Sequence, residues 1–484
     1  MKTELKGPVR VRFAPSPTGY LHVGGARTAI YNELLRQSLG GCHILRIEDT
    51  DKARSDEAMT SQIVAALRWI GVEWDEGPVL QSAGLERHRA AARQLLAEGK
   101  AYHDFVPPAE VEARRQEAQR KKENFRYKDC FAPPPKAEVE RRLEAGEPYA
   151  VRFRMPEEPI VVRDLVRGEV TFGREHLDDL IILRSDGTPT YHMSVVCDDV
   201  AMAITHVIRG EDHLSNTPKH VALFRAFGAP VPAFGHLPLI LGPGKKRLSK
   251  RTGATSVEEF RARGILPQAL YNYLALLGWS PGDGREIMSR EEMIAAFTVE
   301  RLGSSAAVFD HDKLAWMNAQ YMSRLPLPEI LAHLQPFVDR LGLGGVDGER
   351  LAGAVDLHRT RAKTLEELAG FLVPYFQDSL EYDREACARF LAQEDLPDHL
   401  EALIGRLRRL PSFDADSIEA ALRGLADERG LKAGVLIHPT RMALTASKAG
   451  PSLFELVAAM GQSATLRHLA NFVRFLRSAP TAGP

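Results

Sequence analysis

A strand-like run that leads into a glycine-containing turn and then a helix-like run opens the chain, and this order constrains the fold strongly. Val9, Val11 and Phe13 alternate with polar residues, as in a half-buried strand. Segment 15–25 reads Pro-Ser-Pro-Thr-Gly-Tyr-Leu-His-Val-Gly-Gly, and residues 26–35 suit a helix. A strand followed at once by a helix is the repeating unit of a parallel α/β sheet, which is the fold class we expect here.

Changes of texture along the chain predict its domain organisation. Strand-like and helix-like stretches alternate near the start and again past residue 189, whereas the stretch between has a charged helix, three consecutive prolines and short strand-like runs. Near the end, apolar residues recur at helical spacing. The predicted parts are the two halves of a Rossmann-type domain at 1–102 and 189–240, an α+β insertion at 103–188, a domain with a Lys/Arg-rich loop at 241–324, and an all-helical region at 325–484.

The composition is that of an ordinary protein with several domains. At 484 residues the chain is long enough for three or four cores, and its hydrophobic fraction is 44%. A net charge of −1 argues against a uniformly basic nucleic-acid coat. Residues 1–7 show no signal peptide, and no apolar run reaches the length of a membrane span. We therefore expect a cytoplasmic protein with no membrane partner.

The cysteines predict neither a disulfide framework nor an all-cysteine zinc site. They are widely separated and show no Cys-x-x-Cys spacing, so reduced thiols are the expected state. The four residues are Cys42, Cys130, Cys197 and Cys387.

Two local clusters of cations stand out against the neutral average. Such clusters are either solvated helix faces or contacts for a polyanion, and their spacing alone leaves both readings open. The first cluster comprises Arg114, Arg115, Arg120, Lys121, Lys122, Arg126 and Lys128, and the second Arg406, Arg408 and Arg409.

Two segments far apart in the chain have the chemistry of the halves of an ATP-activating site. A helix that begins in the first segment directs free N–H groups and a positive dipole end outward. Gly24 and Gly25 let phosphate or adenine approach the main chain, and His22 can donate to phosphate oxygens as charge develops. The second segment, 245–251, reads Lys-Lys-Arg-Leu-Ser-Lys-Arg and supplies cations for a leaving pyrophosphate.

Five blocks of sequence, in the right order, resemble the bacterial type of glutamyl-tRNA synthetase, a class I aminoacyl-tRNA synthetase. The resemblance spans the whole chain and is strongest over residues 8–320. The blocks are Arg-Phe-Ala-Pro-Ser-Pro-Thr-Gly at 12–19 with Leu-His-Val-Gly-Gly-Ala-Arg at 21–27, Arg-Ile-Glu-Asp-Thr-Asp at 46–51, Asp-Gly-Thr-Pro-Thr-Tyr at 186–191, Ile-Arg-Gly-Glu-Asp-His at 208–213 and Leu-Ser-Lys-Arg at 248–251.

The resemblance implies a reaction and its partners. L-glutamate would attack the α-phosphate of ATP, which brings Mg²⁺ with it, and the glutamyl group of the adenylate would pass to the terminal adenosine of tRNA(Glu). In-line displacement at phosphorus needs positioning and charge neutralisation more than a protein nucleophile. The implied roles are acceptor-arm binding for 103–188, stem contact for 241–324 and anticodon binding for 325–484, in a chain that works as a monomer.

The resemblance also implies roles for individual residues. Arg12 with Tyr191 would hold the side-chain carboxylate of glutamate, Arg209 the α-carboxylate, and Glu48 with Ser16 the amino group, because bidentate guanidinium geometry suits carboxylates. The implied catalytic residues are His22 and Lys250; ATP binding falls to His22, Gly24, Gly25, Lys246, Ser249 and Lys250; and the contacts to tRNA are Arg114, Arg115, Lys121 and Lys122.

The chain departs from the family pattern at two places. Arg247 stands where the family usually has lysine, which keeps the charge but changes the donor geometry. Many relatives carry zinc in the inserted domain, but here Asp104 and Val106 replace the first cysteine pair and only Cys130 remains. One thiol cannot hold a structural zinc, so we predict none.

Several alternatives are weighed by features of the sequence. A glutaminyl-tRNA synthetase would show period-two alternation beyond residue 330, and a truncated relative that glutamylates a modified tRNA base would lack the helical third. A catalytically dead paralogue would have lost His22, Gly24 or Lys250, all of which are present. A small-molecule nucleotidylyltransferase would not need so many C-terminal helices. The sequence does not decide whether tRNA(Gln) is also glutamylated or which side chains read the anticodon.

Overall fold

The computed structural model describes residues 8–50, 56–246, 248 and 255–478. They divide into two compact units. The first comprises the described residues of Met1–Glu259 and Tyr271–Asp310, and the second those of Phe260–Leu270 and His311–Pro484.

The first unit is built on β-sheets. Its strands are β1 Val9–Phe13, β2 Gly41–Ile47, β3 Glu76–Leu80, β4 Ala101–Asp104, β5 Ala150–Phe153, β6 Ile160–Asp164, β7 Gly168–Phe172, β8 Leu180–Leu183, β9 His206–Gly210, β10 Ala233–Leu237, β11 Ile240–Leu241 and β12 Ala307–Val308. The helices of the described chain up to residue 296 are α1 Val23–Leu39, α2 Glu57–Ile70, α3 Leu85–Ala97, α4 Pro108–Lys121, α5 Tyr127–Cys130, α6 Lys136–Glu144, α7 Tyr191–Ala201, α8 Thr217–Ala226, α9 Val257–Ala262, α10 Pro267–Leu276 and α11 Arg290–Ala296.

Parallel strands carry the site. β1, β2 and β3 lie side by side and parallel, with Val11 opposite His43. β9 and β10 form a second parallel pair, and the backbone N–H of Thr205, just before β9, donates to the carbonyl oxygen of Arg10 on β1 at 2.9 Å. The carboxyl ends of β1, β2, β9 and β10 therefore meet at one edge, where open α/β sheets bind ligands.

Helix α2 illustrates how local sequence specifies an element of this unit. The Asp56 side chain accepts from the backbone N–H of Ala58 and caps the start, while Gly71 ends the helix with a φ of 85°. Ile63 and Leu67 are buried on one face at the spacing that predicted the helix.

The stretch predicted to be an insertion contributes to two sheets. β4, β5 and β8 form an antiparallel sheet. The β6–β7 hairpin instead continues the sheet of β9 and β10, with Asp164 opposite Phe234. Val151 and Ile182 share one hydrophobic core with Val196 and Leu223 of helices α7 and α8. Strands of this stretch are thus built into the same core as the Rossmann-type part.

The second unit is helical throughout its described part. The helices from residue 311 onward are α12 His311–Arg324, α13 Leu327–Arg340, α14 Gly348–His358, α15 Leu365–Phe376, α16 Arg384–Leu391, α17 Leu396–Arg408, α18 Ala415–Glu428, α19 Gly434–Thr445, α20 Leu453–Met460 and α21 Gln462–Ser478. Leu403 and Leu422 are buried at the spacings that predicted α17 and α18. The part of the chain that the structure describes contains no helix that is long and apolar enough to span a membrane.

Candidate functional site

A cavity of about 820 Å³ lies at the carboxyl ends of the parallel strands of the first unit. β1, the turn after β2, α7 and β9 each contribute polar side chains to its wall. Eight of the residues predicted from the sequence to bind ATP or glutamate line this one cavity, namely Arg12, Ser16, His22, Gly24, Gly25, Glu48, Tyr191 and Arg209.

His22 caps helix α1 at the cavity wall. Its Nδ1 accepts from the backbone N–H of Gly24 at 3.2 Å, so Nε2 is the nitrogen that carries the proton and can donate. The N–H of Val23 donates to the carbonyl oxygen of Thr255 at 2.9 Å. The prediction of free N–H groups at this helix start is therefore wrong for Val23 and Gly24, and an anion would reach Gly24 only by displacing Nδ1.

The two glycines of the first segment have different surroundings. A Cβ on Gly25 would lie 3.2 Å from Cδ1 of Leu21 and 3.6 Å from Cζ of Phe13, tight against the core. On Gly24 it would meet only Nδ1 of His22, at 3.5 Å. A side chain at position 25 would thus have to displace Leu21 by a few tenths of an ångström, and position 24 is the one that faces the cap.

A residue of the second segment and the backbone that follows this segment approach the first segment. Leu248 lines the cavity, and the N–H of Val257 donates to the carbonyl oxygen of Leu21 at 3.0 Å. Lys246 is exposed and is not part of the cavity wall, and its carbonyl oxygen accepts from the N–H of Gly242 at 2.7 Å. The predicted roles of Ser249 and Lys250, and the departure at Arg247, concern positions outside the described residues.

Arg12 is buried beside a carboxylate that the sequence analysis did not single out. Its Nε donates to Oδ1 of Asp199, on α7, at 3.2 Å. Arg46 donates through Nη1 to the same oxygen at 2.7 Å and through Nη2 to Oε1 of Glu48 at 3.4 Å. Two guanidinium groups and two carboxylates therefore form one chain across the ends of β1 and β2. Among the described residues, the Nη groups of Arg12 are left for a further acceptor.

Burial and ion pairing act in opposite directions in this chain. Burial raises the pKa of Glu48, although Arg46 and Arg12 oppose that shift. Burial also disfavours the charged form of Arg46, but Asp199 and Glu48 outweigh it and raise its pKa. An ammonium group next to Glu48 would favour its ionised form, which is the interaction predicted for the amino group of glutamate.

Arg209 has different partners, all of them neutral acceptors. Nε donates to Nε2 of His236 at 3.1 Å, Nη1 to Nδ1 of His220 at 3.2 Å, and Nη2 to Oγ1 of Thr217 at 2.9 Å and to the carbonyl oxygen of His213 at 3.2 Å. Burial lowers the pKa of Arg209 to about 10, so the group stays charged at neutral pH.

Tyr191 begins α7 and lines the same cavity as Arg12 and Arg209. Its hydroxyl lies 3.1 Å from Nδ1 of His213. Burial raises the pKa of Tyr191 to about 12, so that it is a neutral hydroxyl donor at physiological pH.

This arrangement is suited to a small zwitterion with more than one carboxylate. Arg12 and Arg209 approach the same cavity from different strands, and Glu48 provides a carboxylate for a cation. Within the described ranges, no three His, Cys, Asp or Glu side chains are grouped as a metal site. These side chains can therefore recognise charged groups of a ligand and position it for reaction.

Helix α4 carries the cations predicted to contact tRNA, and most of them pair within the helix. Arg114 lies 3.5 Å and Lys121 2.8 Å from the Glu117 carboxylate, and Arg115 lies 3.1 Å from that of Glu112. Lys122 ends the helix with a φ of 57°. Exposed pairs of this kind contribute little free energy, so a phosphate could replace the carboxylates. The tRNA contact stays a prediction.

Asp104, which stands in place of a family cysteine, accepts three hydrogen bonds. Its Oδ1 accepts from the Tyr127 hydroxyl at 2.6 Å and from the N–H of Val106 at 3.0 Å, and its Oδ2 from Nε of Arg152 at 2.7 Å. Cys130 is exposed. The absence of structural zinc stays a prediction, and the structure adds that Asp104 joins elements of this stretch through a buried ion pair.

The residues that hold the arginines were not among those predicted from the sequence. Asp199 follows Asp198 in an otherwise apolar run, and such a buried acidic pair is a signal that could have been noticed. His236 lies in a strand-like run and Asp164 at the end of another, with no local pattern that links them. Only the pairing of the strands brings these residues to Arg209.

Comparisons with known proteins agree with this geometry. A family model described as tRNA synthetases class I (E and Q), catalytic domain, matches residues 8–316, and one described as Anticodon binding domain matches residues 329–473. The chain is similar to glutamate–tRNA ligase from Geobacter sulfurreducens, with 45% identity over 97% of this chain and 99% of that protein. It is 41% identical to glutamate–tRNA ligase 1 from Caldanaerobacter subterraneus, over 98% of this chain and 99% of that one.

A solved structure with the same fold was determined with a ligand. It is a glutamate–tRNA ligase from Elizabethkingia meningosepticum in complex with its amino acid, with a TM-score of 0.88, 32% identity, and coverage of 97% of this chain and 100% of that one. The predicted fold class, a parallel-sheet catalytic domain followed by a helical anticodon-binding region, is confirmed.

Proposed function

Because the chain belongs to the bacterial-type glutamyl-tRNA synthetases, which attach glutamate to tRNA(Glu), we propose that its cavity binds L-glutamate and ATP and forms glutamyl-adenylate there. Arg12 and Tyr191 hold the side-chain carboxylate, Arg209 the α-carboxylate, and Glu48 with Ser16 the amino group. The observation that carries this proposal is the convergence of the buried Arg12 and Arg209 and of the Glu48 carboxylate on a single cavity.

The arrangement also accounts for the choice of glutamate over glutamine. The carboxylate of glutamate accepts two hydrogen bonds from a guanidinium, whereas the carboxamide of glutamine supplies one acceptor and an NH₂ group that faces a donor. Leaving a desolvated arginine poorly paired costs about 2–5 kcal/mol, a large rejection factor without an editing step.

The chemistry is two successive displacements. An oxygen of the α-carboxylate attacks the α-phosphorus of Mg·ATP, and the bond from that phosphorus to the bridging oxygen breaks to release pyrophosphate. A ribose hydroxyl of the terminal adenosine then attacks the acyl carbon, and AMP leaves. His22 donates to phosphate through Nε2–H, and Lys246, Ser249 and Lys250 serve the leaving pyrophosphate. Mg²⁺ enters as part of the Mg·ATP substrate.

The tRNA contacts belong to the same proposal. Helix α4 presents Arg114, Arg115 and Lys121 on an exposed surface, and these cations with Lys122 contact acceptor-arm phosphates. The region matched as an anticodon-binding domain reads the other end of the tRNA. One monomer supplies every residue named.

The direct test is aminoacylation of purified tRNA(Glu) and tRNA(Gln) with labelled glutamate and with labelled glutamine. We expect glutamate on tRNA(Glu) and no glutamine on either tRNA; transfer of glutamine would reject the proposed specificity. Acceptance of glutamate by tRNA(Gln) is decided in the same assay.

Two variants assign the roles. Arg12→Ala is expected to raise the glutamate KM, and Lys250→Ala to lower kcat with little change in that KM, because one group binds substrate and the other stabilises the transition state. Tyr20→Ala changes an exposed residue of the same cavity that has no proposed polar role and is the matched control. Wild-type kinetics in either test variant would remove that residue from the site.

A further inference from the structure

Arg209 is connected to a carboxylate in a neighbouring strand through one imidazole. His236 lies on β10 directly opposite Arg209 of β9, and β6 lies on the other side of β10. His236 Nδ1 is 2.5 Å from Oδ2 of Asp164, the last residue of β6, and His236 Nε2 is 3.1 Å from Nε of Arg209. The side chains of His236 and Asp164 are fully buried.

The hydrogen bonds define the tautomer of His236. Arg209 has only donors, so Nε2 of His236 must be an acceptor. The ring proton is therefore on Nδ1, where the Asp164 carboxylate accepts it. Burial lowers the pKa of His236 and keeps the ring neutral. Protonation at Nε2 would place a donor and a positive charge against a guanidinium.

The carboxylate of Asp164 is itself oriented by the main chain. Oδ1 accepts from the backbone N–H groups of Val166 and Arg167, each at 2.9 Å, and of His236 at 3.2 Å. Oδ2 is thus the oxygen left for the imidazole. Burial disfavours the charge, but these hydrogen bonds and that from His236 outweigh it and lower the pKa of Asp164.

We propose that His236 and Asp164 are positioning residues for glutamate: Asp164 fixes the Nδ1–H tautomer of His236, and Nε2 then holds the Arg209 guanidinium in the orientation that receives the α-carboxylate. Thr217, whose hydroxyl lies 3.0 Å from the same Nε2, completes the support. This inference rests on the role proposed above for Arg209.

Two substitutions of His236 separate the acceptor from the rest of the ring. Glutamine can place its amide oxygen near the position of Nε2, whereas asparagine can place an amide near Nδ1 and leaves Arg209 without this acceptor. His236→Asn is expected to raise the glutamate KM about 10- to 100-fold, the loss expected for one hydrogen bond to a charged group. His236→Gln is expected to keep the KM at least about fivefold below that of His236→Asn, since the acceptor is restored.

Asp164→Asn provides a test with no change at His236. The three backbone N–H groups require the amide oxygen, so the NH₂ group faces Nδ1, which must then accept. The proton moves to Nε2 and opposes Nε–H of Arg209. We expect a rise in the glutamate KM of the same order as in His236→Asn. When Asp164→Asn is combined with His236→Gln, we expect the glutamate KM to be no higher than in His236→Gln alone.

The measurements are the KM values for glutamate and for ATP and kcat in aminoacylation, with thermal unfolding as a check on folding. A general structural defect would change both KM values, whereas the proposal predicts a change for glutamate only. A wild-type glutamate KM in either single variant, equal KM values for the asparagine and glutamine variants of His236, or full additivity in the double variant would overturn it.

Failure of the underlying role can be told apart from failure of this inference. If Arg209→Ala leaves the glutamate KM unchanged, Arg209 does not bind the α-carboxylate and the proposed function is revised. If Arg209→Ala raises that KM and His236→Asn does not, only the positioning role of His236 is wrong.

Discussion

Arg12 and Arg209 are buried to the same degree, with 4% and 6% of their surfaces exposed, yet they are held in different ways. Arg12 shares the carboxylate of Asp199 with Arg46. Arg209 donates to imidazoles, a hydroxyl and a carbonyl oxygen, and none of these acceptors carries a charge. The positive charge of Arg12 is thus compensated by a protein carboxylate. Arg209 is oriented by the protein, but its charge is not neutralised by these acceptors.

The difference explains how one cavity can bind two carboxylates of one small molecule. At Arg12 the protein anion fixes the guanidinium through Nε, so a ligand adds to a charge network that is already compensated. At Arg209 a carboxylate from the ligand would supply the missing countercharge. Neutral acceptors can orient a cation without neutralising the charge that attracts its ligand. The contrast between the two arginine sites leads to four predictions.

The largest expected effect is on stability, from Asp199→Ala. Removing this carboxylate leaves Arg12 and Arg46 as buried cations, and we expect the free energy of unfolding to fall by about 3–5 kcal/mol. Urea unfolding measures it. The control is Glu86→Ala, which removes an exposed partner of Arg89 and should cost less than about 1 kcal/mol. Equal losses in the two variants would show that the Arg12 site is not held by its ion pairs.

The next effect is on binding, from truncation of Arg209. Arg209→Ala is expected to lower kcat/KM for glutamate, because the ligand carboxylate loses its partner. The fall should correspond to a loss of about 2–5 kcal/mol of transition-state stabilisation. Arg209→Lys keeps the charge but not the planar set of donors, and should recover only part of the loss. Steady-state aminoacylation with varied glutamate gives both values. Full recovery by lysine would mean that the neutral acceptors do not orient the group.

A smaller effect is the pH dependence of stability that arises from His192, which lies next to the neutral acceptors of Arg209. Burial lowers the pKa of His192 to about 4, below the value of about 6.5 in an unfolded chain. The unfolded state therefore binds more protons between these values, and the stabilising contribution is complete above pH 6.5 and lost as the pH falls toward 4. Groups facing His192 are Lys219, Arg209, His213 and His220.

The His192→Asn variant isolates the pH-dependent contribution of His192 to stability, because asparagine keeps an acceptor near Nδ1 but does not titrate. Unfolding free energies of wild type and variant should converge or cross as the pH is lowered from 7 to 5. Burial gives Glu33 a raised pKa of about 7, an opposite pH dependence that both proteins share and that cancels in the difference. Parallel curves would show that His192 is not held neutral.

The smallest effect is expected from His220→Asn. Asparagine retains an acceptor near Nδ1, which receives a hydrogen bond from Arg209, and loses only the contact with His192. We expect the glutamate KM to change by less than about fivefold, within the value of one neutral hydrogen bond. A loss as large as that in Arg209→Ala would mean that the imidazole does more than accept a hydrogen bond.

Much of the fold followed from local patterns. The alternation around Val11, the cap and apolar spacing of α2, and the helical spacing of Leu403 and Leu422 each depend on neighbours in sequence, and the corresponding elements are present. The β6–β7 hairpin is different. Its alternation predicts strands, but its place beside β10 depends on a pairing between Asp164 and Phe234 that no local pattern encodes.

The sequence by itself determined the fold class, the family and a set of charged residues that converge on one cavity, because these are written in contiguous motifs such as those around Arg12, Glu48 and Arg209. The role of Lys250 still rests on sequence alone. Only the tertiary structure decided what holds each arginine. Asp199 lies 187 residues from Arg12, and Asp164 lies 72 residues from His236. Such partners meet through strand order and helix packing, which no short window of sequence contains.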